Sequence, residues 1–225
     1  MTFSAIHIRA DIVIDRPTVL LNWYSENVRR GPDYYFRVSP LLDSDAIEFG
    51  DLAWAVLLEG RPSSAAAQSL LRRTPIALDA VPKEPLATLN QERRALIVDA
   101  IESLLWLDGF ASSLATKVLH VRRRASVPVL DNQAIFGTFM RPDWVLGNRP
   151  RSGSVRDRLS ISRALEAIHG SLTDERSDRG WELLQREAHR DRSLGVTQIE
   201  LFDICWWALV RADANTLRTA GVAQR

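Results

Sequence analysis

Residues 107–133 read LDGFASSLATKVLHVRRRASVPVLDNQ, and this stretch decides how the chain is expected to fold. The apolar spacing on either side of its first residues predicts two amphipathic helices joined by a tight turn. A turn this short needs a residue that tolerates positive φ, and Gly109 is that residue. Phe110 is apolar and is expected to fill the gap between the helices at the tip of the turn. The stretch therefore predicts an αα-hairpin.

The second helix of this hairpin starts with small residues. Ala111 allows a ligand to approach the backbone closely, and the amides around Ser112 and Ser113 lie at a helix N-terminus. Unpaired N–H groups at such an end attract anions. We therefore expect a phosphate-binding position at residues 111–113.

Charge is distributed unevenly around the hairpin. The whole chain has 29 basic and 28 acidic residues, a net charge of +1, so it has no general attraction for a polyanion. Between Asp108 and Asp131, however, four basic residues occur without any acidic one: Lys117, Arg122, Arg123 and Arg124. A nucleic-acid function requires such a local basic patch, and we predict it here.

The rest of the chain predicts a mainly α fold with a short strand pair near the N-terminus. Residues 6–14 alternate as a strand does. Helical spacing or capping residues then predict helices near residues 15–31, 49–57, 62–71, 90–105, 112–123, 132–140, 158–169, 176–189 and 197–209. We interpret residues 1–225 as one compact unit of two helical lobes around a cleft, with residues 90–140 carrying the hairpin and Asp131.

Composition excludes several classes of site. The single Cys205 cannot supply an internal disulfide, a cysteine-based zinc site or a four-cysteine iron–sulfur cluster. The four histidines are too scattered to suggest a metal site. No apolar run approaches the roughly 20 residues that span a bilayer, and the first residues show no export signal. A cytoplasmic monomer without membrane contact is the expectation.

The hairpin stretch resembles the helix-hairpin-helix DNA glycosylase superfamily. Members carry Leu-Pro-Gly-Val-Gly-x-x-x-Ala and then an aspartate after a short apolar segment. Leu107, Gly109, Phe110 and Ala115 match the hairpin, and Asp131 ends the run Val-Pro-Val-Leu at the family's interval. The resemblance implies that Asp131 is the catalytic carboxylate at the mouth of a base-binding pocket between two lobes. It also implies that the hairpin grips the backbone of double-stranded DNA, often with a monovalent cation held by its carbonyls.

Two departures from the family pattern concern the hairpin. Ala111 replaces the second glycine, which is expected to weaken the grip on phosphate or cation. Ser113 stands where bifunctional members keep the lysine that attacks the sugar. Since a Schiff base needs an amine, the resemblance implies a monofunctional enzyme without a strand-cleaving lyase step.

The chemistry can also be argued without the family. Cleavage of an N-glycosidic bond builds positive charge on the sugar, so a carboxylate beside C1′ stabilises the transition state and can orient water. Asp131 precedes a predicted helix, where the dipole and the amides favour its charged form. The target base must leave the duplex and stack in a pocket, for which seven tryptophans are available.

Structural interpretations of the same residues stay open. Asp131 can simply cap the helix that follows it, and Arg122–Arg124 can be a solvated helix end. Trp54, Trp106 and the pair Trp206-Trp207 are expected in the core. Tyr34-Tyr35 is a further candidate for a stacking wedge.

Three functions follow from these alternatives. The leading hypothesis is a monofunctional DNA glycosylase that acts on a damaged or modified base through Asp131. The second is a non-catalytic helix-hairpin-helix DNA-binding protein, which the Ala111 departure favours. The third is a helical protein without a nucleic-acid role whose basic patch binds an acidic protein.

Overall fold

The computed structural model describes residues 4–28, 45–58, 60–72, 76–151, 155–191 and 196–224. Tyr34 and Tyr35 lie outside these residues. The described chain is mainly helical with small antiparallel sheets, which confirms the predicted class. The specific glycosylase fold and the division into two lobes stay predictions.

The helices follow the predicted pattern closely. Asn90 caps its helix by accepting a hydrogen bond from the amide of Arg93, and Thr197 forms a capping box with Glu200. Residues 132–140 differ from expectation, because they form turns and a π-helical segment (Ile135–Phe139) instead of a regular α-helix. The helices are α1 (Pro17–Asn27), α2 (Asp51–Leu57), α3 (Ser64–Leu71), α4 (Gln91–Leu105), α5 (Ser112–Arg122), α6 (Arg158–Leu172), α7 (Asp178–Asp191), α8 (Gln198–Arg211) and α9 (Ala214–Thr219).

The predicted N-terminal strand pair is present and has a third strand. β1 (Ile6–Arg9) pairs with β2 (Ile12–Ile14), and β2 pairs with β5 (Val222–Gln224), all antiparallel. The C-terminal strand was not predicted, because three residues are too few to show an alternating pattern. A second, two-stranded sheet joins β3 (Ala46–Ile47) to β4 (Ile76–Ala77).

Buried apolar side chains from both ends of the chain and from the helices between them form one continuous core. Trp206 is fully buried there, and its indole donates to the carbonyl of Ala134 at 2.7 Å. The prediction that Trp106 is a core residue is wrong, since its side chain is 82% exposed. Leu104 and Leu107 occupy the inward-facing positions at this end of α4, which leaves Trp106 facing outward.

Among the described residues, no helix has both the length and the apolar character that a membrane crossing requires.

Candidate functional site

The predicted hairpin is formed by α4, a turn at residues 106–111, and α5. Gly109 has φ +81°, and Phe110 is fully buried between the helices. A Cβ on Gly109 would lie 2.5 Å from the backbone nitrogen of Ala66 in α3. The hydroxyl of Ser69, also in α3, donates to the carbonyl of Asp108 at 3.2 Å. Glycine is therefore required at the turn both by its dihedral angle and by the close approach of α3.

A cleft of about 370 Å³ lies beside the hairpin, within the range of volumes of pockets that hold small ligands. The hairpin contributes Gly109, Ala111, Ser113, Leu114 and Lys117 to its walls. The segment that follows the apolar run contributes residues 131–133, and α8 contributes Asp203, Trp207 and Arg211. The structure thus brings the hairpin and Asp131 to the same cleft, although they are separated in sequence.

Asp131 uses its two carboxylate oxygens differently. Oδ1 accepts hydrogen bonds from the amides of Gln133 at 2.7 Å and Ala134 at 3.0 Å, which is a capping interaction. Oδ2 lies 3.3 Å from Nζ of Lys117. The side chain retains 24% exposure at the cleft. The two interpretations of this residue, cap and cleft carboxylate, are therefore compatible.

The environment of Asp131 favours its ionised form. Burial alone would raise the pKa of Asp131, but the charge of Lys117 and the hydrogen bonds from Ala134 and Gln133 outweigh it and hold the pKa below its usual value. Asp131 is consequently a carboxylate at neutral pH.

Lys117 lines the cleft from the next turn of α5 after Ser113. Its side chain is only 4% exposed, and its carboxylate neighbour in the cleft is Asp131. A buried lysine that pairs with Asp131 does not fit the expected role of Lys117 as a cation that attracts DNA phosphates.

The burial of Phe110 and Ser112 is inconsistent with the expectation that they contact DNA. Both are fully buried. The amide of Ser112 donates to the carbonyl of Val155 at 3.2 Å, and that of Phe110 donates to Leu107 at 3.1 Å. Both amides are engaged inside the protein. Of the predicted anchor residues 109–113, those that line the cleft are Gly109, Ala111 and Ser113.

Arg122–Arg124, predicted to form a basic patch that contacts DNA, pair inside the protein instead. Arg122 pairs with the fully buried Asp51 at 2.7 Å, and Arg124 pairs with the fully buried Glu200 at 3.0 Å. The side chain of Arg123 is 2% exposed and donates to the carbonyls of Val81 and Leu78 and to Asp45. The acidic partners come from distant parts of the chain, so a count of charges along residues 108–131 could not reveal them.

Three residues of α8 belong to the cleft and were not identified as site residues: Asp203, Trp207 and Arg211. Trp207, expected in the core, lines the cleft and packs edge-on against Tyr24 with ring centroids 6.4 Å apart. The guanidinium of Arg211 lies 4.8 Å from the Trp207 ring centroid and donates to Gln133 at 2.8 Å. The i, i+4 spacing of Trp207 and Arg211 was the available signal, since it places both on one helix face. Arg61 is an additional exposed cation at the rim.

The thiol of Cys205 does not line the cleft. Burial raises the pKa of the Cys205 thiol to about 12, so this side chain stays a protonated core residue. Within the residues that the structure describes, no three side chains of the metal-binding types His, Cys, Asp and Glu converge.

Comparison of the chain with protein-family models, with curated proteins and with solved structures finds no match. The geometry of the cleft and the hairpin resemblance are therefore the features that indicate a function.

Proposed function

We propose that this protein binds double-stranded DNA and hydrolyses the N-glycosidic bond of a damaged or modified base, with Asp131 as the catalytic carboxylate. The observation that carries the proposal is the meeting of the hairpin and an ionised carboxylate in one cleft. Asp131 lines the cleft, its Oδ1 is held by two backbone amides, and its Oδ2 pairs with Lys117. This arrangement fixes the orientation of the carboxylate, as electrostatic stabilisation of a transition state requires.

In the proposed reaction, the base leaves the sugar as positive charge grows at C1′. The Asp131 carboxylate lowers the energy of this charge and orients the attacking water. Trp207 supports the accompanying base flipping, because its ring borders the cleft and offers a stacking surface for an extruded base. Asp131 forms an ion pair with the neighbouring Lys117. The positive charge of Lys117 therefore partly offsets the negative charge of the carboxylate.

For the DNA backbone we propose contacts from the hairpin and from two arginines. Gly109, Ala111 and Ser113 face the cleft from the hairpin turn and the start of α5, where helix N-termini favour phosphate. Arg61 and Arg211 replace the internally paired Arg122–Arg124 as the phosphate-binding cations. A monovalent cation at the hairpin carbonyls remains an expectation that the resemblance implies.

The test measures release of free base from a panel of duplexes that each carry one damaged or modified base. The proposal expects release from at least one duplex by the wild type and loss of release with Asp131→Asn. Asparagine keeps the size and the capping ability of the side chain, so binding to the same duplex is expected to persist. Undiminished release by Asp131→Asn would show that another group performs the reaction.

A second candidate function is DNA binding through the hairpin without catalysis. The observation that favours it is the use of both Asp131 oxygens inside the protein, one as a cap and one in the pair with Lys117. Salt-sensitive duplex binding without base release from any substrate would select this function. Support for the third hypothesis, an acidic protein partner at Arg122–Arg124, is lost because these arginines pair internally.

A further inference from the structure

A second group of arginines lies beside the hairpin and is exposed, unlike the arginines at the end of α5. The chain from residue 144 to residue 156 contains Arg149, Arg151 and Arg156 and no acidic residue. All three residues are exposed. Nη1 of Arg151 lies 3.7 Å from Oδ2 of Asp143, a long contact between two exposed side chains. Among the described residues, no carboxylate pairs with Arg149 or Arg156, so their charges face solvent.

Backbone contacts hold these arginines next to the hairpin and to the π-helical segment. The amide of Arg151 donates to the carbonyl of Gly137 at 3.3 Å, and a Cβ on Gly137 would overlap the carbonyl oxygen of Arg151. Val155, which precedes Arg156, accepts a hydrogen bond at 3.2 Å from the amide of Ser112 at the start of α5. The first contact fixes Arg151 against the π-helical segment, and the second fixes Arg156 against the hairpin.

An exposed aromatic ring adjoins the same arginines. Trp106 follows the last residue of α4 and is 82% exposed. One helical turn earlier, Glu102 pairs with Arg158 at 2.6 Å. Because Arg158 lies two residues after Arg156, this salt bridge brings the chain that carries Arg156 to the side of α4 that carries Trp106. Unpaired guanidiniums beside an exposed aromatic ring are the combination that binds phosphates and stacks on bases of nucleic acids.

We propose that Trp106, Arg149, Arg151 and Arg156 form a flanking surface that binds the DNA duplex beside the cleft. This inference rests on the proposed function, which brings DNA to the hairpin. Phosphates of one strand follow each other at about 3.4 Å along the duplex axis. A strand with one phosphate at the start of α5 therefore places its next phosphates over the chain that is bonded to Ser112.

The flanking surface fits DNA better than it fits an acidic protein. It continues directly from the position at residues 111–113 where a phosphate is expected, and a guanidinium can donate two parallel hydrogen bonds to a phosphate. The adjoining carboxylate of Asp157 does not neutralise it, since it caps α6 by accepting from the amide of Ser160 at 2.8 Å. The surface thus offers cations at several successive points along a strand.

The first experiment titrates an undamaged, labelled duplex at several salt concentrations. The test variant carries Arg149→Gln, Arg151→Gln and Arg156→Gln. It should lower the slope of log affinity against log salt by about 0.9 for each lost phosphate contact, about 2.7 in all. A matched control removes the same charge elsewhere, from α4 and from α7, with Arg93→Gln, Arg179→Gln and Arg186→Gln.

The control variant should keep the slope of wild type, because α7 packs against α1, α8 and β1 and Arg93 lies in the first turn of α4, far along the helix from the hairpin. Equal slopes for the two triple variants would overturn the proposal. The flanking surface would then suit a different partner, such as an acidic protein.

The aromatic part of the surface has its own signature. Trp106→Ala should weaken duplex binding by about 5-fold or more, because the packing of an aromatic ring against a nucleotide is lost. The salt slope should stay that of wild type, since the ring displaces no counterions. Trp106→Phe should restore part of the affinity. The melting temperature is expected to stay unchanged because the ring is 82% exposed, and undiminished affinity of Trp106→Ala would contradict a contact between this ring and DNA.

A measurement on the wild type needs no variant. An arginine-selective dicarbonyl reagent is applied with and without the duplex, and mass spectrometry locates the modified side chains. The duplex should protect Arg149, Arg151 and Arg156, whereas Arg93 and Arg179 should react equally in both samples. Equal modification of the three flanking arginines with and without DNA would overturn the proposal.

These results are distinguishable from the fate of the proposed function. The titrated duplex is undamaged, so binding does not require base release. Binding through the flanking surface without base release from any substrate would support the surface and remove the glycosylase step. Base release that depends on Asp131, with wild-type affinity and slope in the test variant, would overturn the surface and leave the glycosylase proposal intact.

Discussion

At the scale of single residues, Asp131 and Gly109 each contribute both to the fold and to the candidate site. Asp131 caps its own turn through Oδ1 and faces Lys117 through Oδ2. Gly109 combines positive φ with close contact to α3. Local sequence signals indicated both residues. The contact of Asp131 with Lys117 and the close approach of α3 to Gly109, however, come from other parts of the chain.

A comparison of alanine substitutions at Gly109 and Gly147 separates the effect of positive φ from that of the close contact with α3. Gly147 has nearly the same dihedral, φ +84° against +81°, but no atom lies within 4 Å of the Cβ that alanine would add there. We expect Gly147→Ala to lower the free energy of unfolding by about 1–2 kcal/mol from φ strain alone. Gly109→Ala should cost about 1–3 kcal/mol more, because its Cβ overlaps the Ala66 backbone.

Urea denaturation of the two variants and of wild type measures both free energies. Equal losses for Gly109→Ala and Gly147→Ala would show that the close approach of α3 to the hairpin is absent in solution.

The hairpin was predictable residue by residue because its signals are local. Glycine in the turn, the apolar Phe110 and the Asn90 cap act within one or two helical turns of their own position. The cleft was predictable only in part. Trp207 and Arg211 lie more than 70 residues from Asp131 in sequence, and only the packing of α8 brings them to the cleft.

At the scale of elements, the C-terminal end of α5 connects three separate parts of the structure. Arg122 pairs with Asp51 in α2, Arg123 with Asp45 and the backbone beside β4, and Arg124 with Glu200 in α8. Burial raises the pKa of Asp51 despite its arginine partner, so that pair is retained against a desolvation cost. The three arginines thus position α5, and with it Lys117, relative to its neighbours.

Removal of Arg123 should therefore reduce stability, with little effect on DNA affinity in the folded protein. We expect Arg123→Ala to lower the free energy of unfolding by about 2–4 kcal/mol, since it leaves the Val81 and Leu78 carbonyls without this donor. The control is Arg93→Ala, because Arg93 pairs with Glu84 at the surface with both side chains about half exposed. This control should cost less than about 1 kcal/mol.

Thermal melts of both variants test the difference. An unchanged melting temperature for Arg123→Ala, together with weaker DNA binding, would restore the interpretation of Arg122–Arg124 as a basic patch that contacts DNA.

At the scale of the whole molecule, two acidic groups link stability to pH. Burial would raise the pKa of Glu200, but His120 and the charge of Arg124 outweigh it and keep the pKa below its ordinary value of 4.5. The pKa of Asp131 is likewise lowered from 3.8. A carboxylate with a depressed folded-state pKa contributes stability above its unfolded pKa and loses it as pH falls through the folded value. Stability should therefore decline as pH falls below about 4.5.

Glu200→Gln tests this linkage, because glutamine keeps the N3 position of the capping box and removes the charge. We expect lower stability than wild type at pH 7 and a smaller loss of stability between pH 5 and pH 3. Free energies of unfolding measured across this interval check the slope. Parallel curves for the two proteins would exclude Glu200 as a source of the acid sensitivity.

The near-neutral molecule should bind DNA through few cations. We expect Arg61→Gln and Arg211→Gln each to reduce the slope of log affinity against log salt by about 0.9, the value for one phosphate contact. Arg123→Gln should leave the slope unchanged if the protein remains folded, because the Arg123 side chain is 2% exposed. Binding titrations at several salt concentrations measure the slopes, and the opposite ranking would contradict the assignment of the DNA-facing side.

The most direct test of the central claim is the single-turnover rate of base release with wild type and Asp131→Asn at saturating protein. The claim is that Asp131 catalyses the reaction in the cleft beside the hairpin. It predicts a fall of at least about 100-fold for a folded variant that still binds the duplex, comparable to the loss of a major electrostatic group. Equal rates for the two proteins would contradict it.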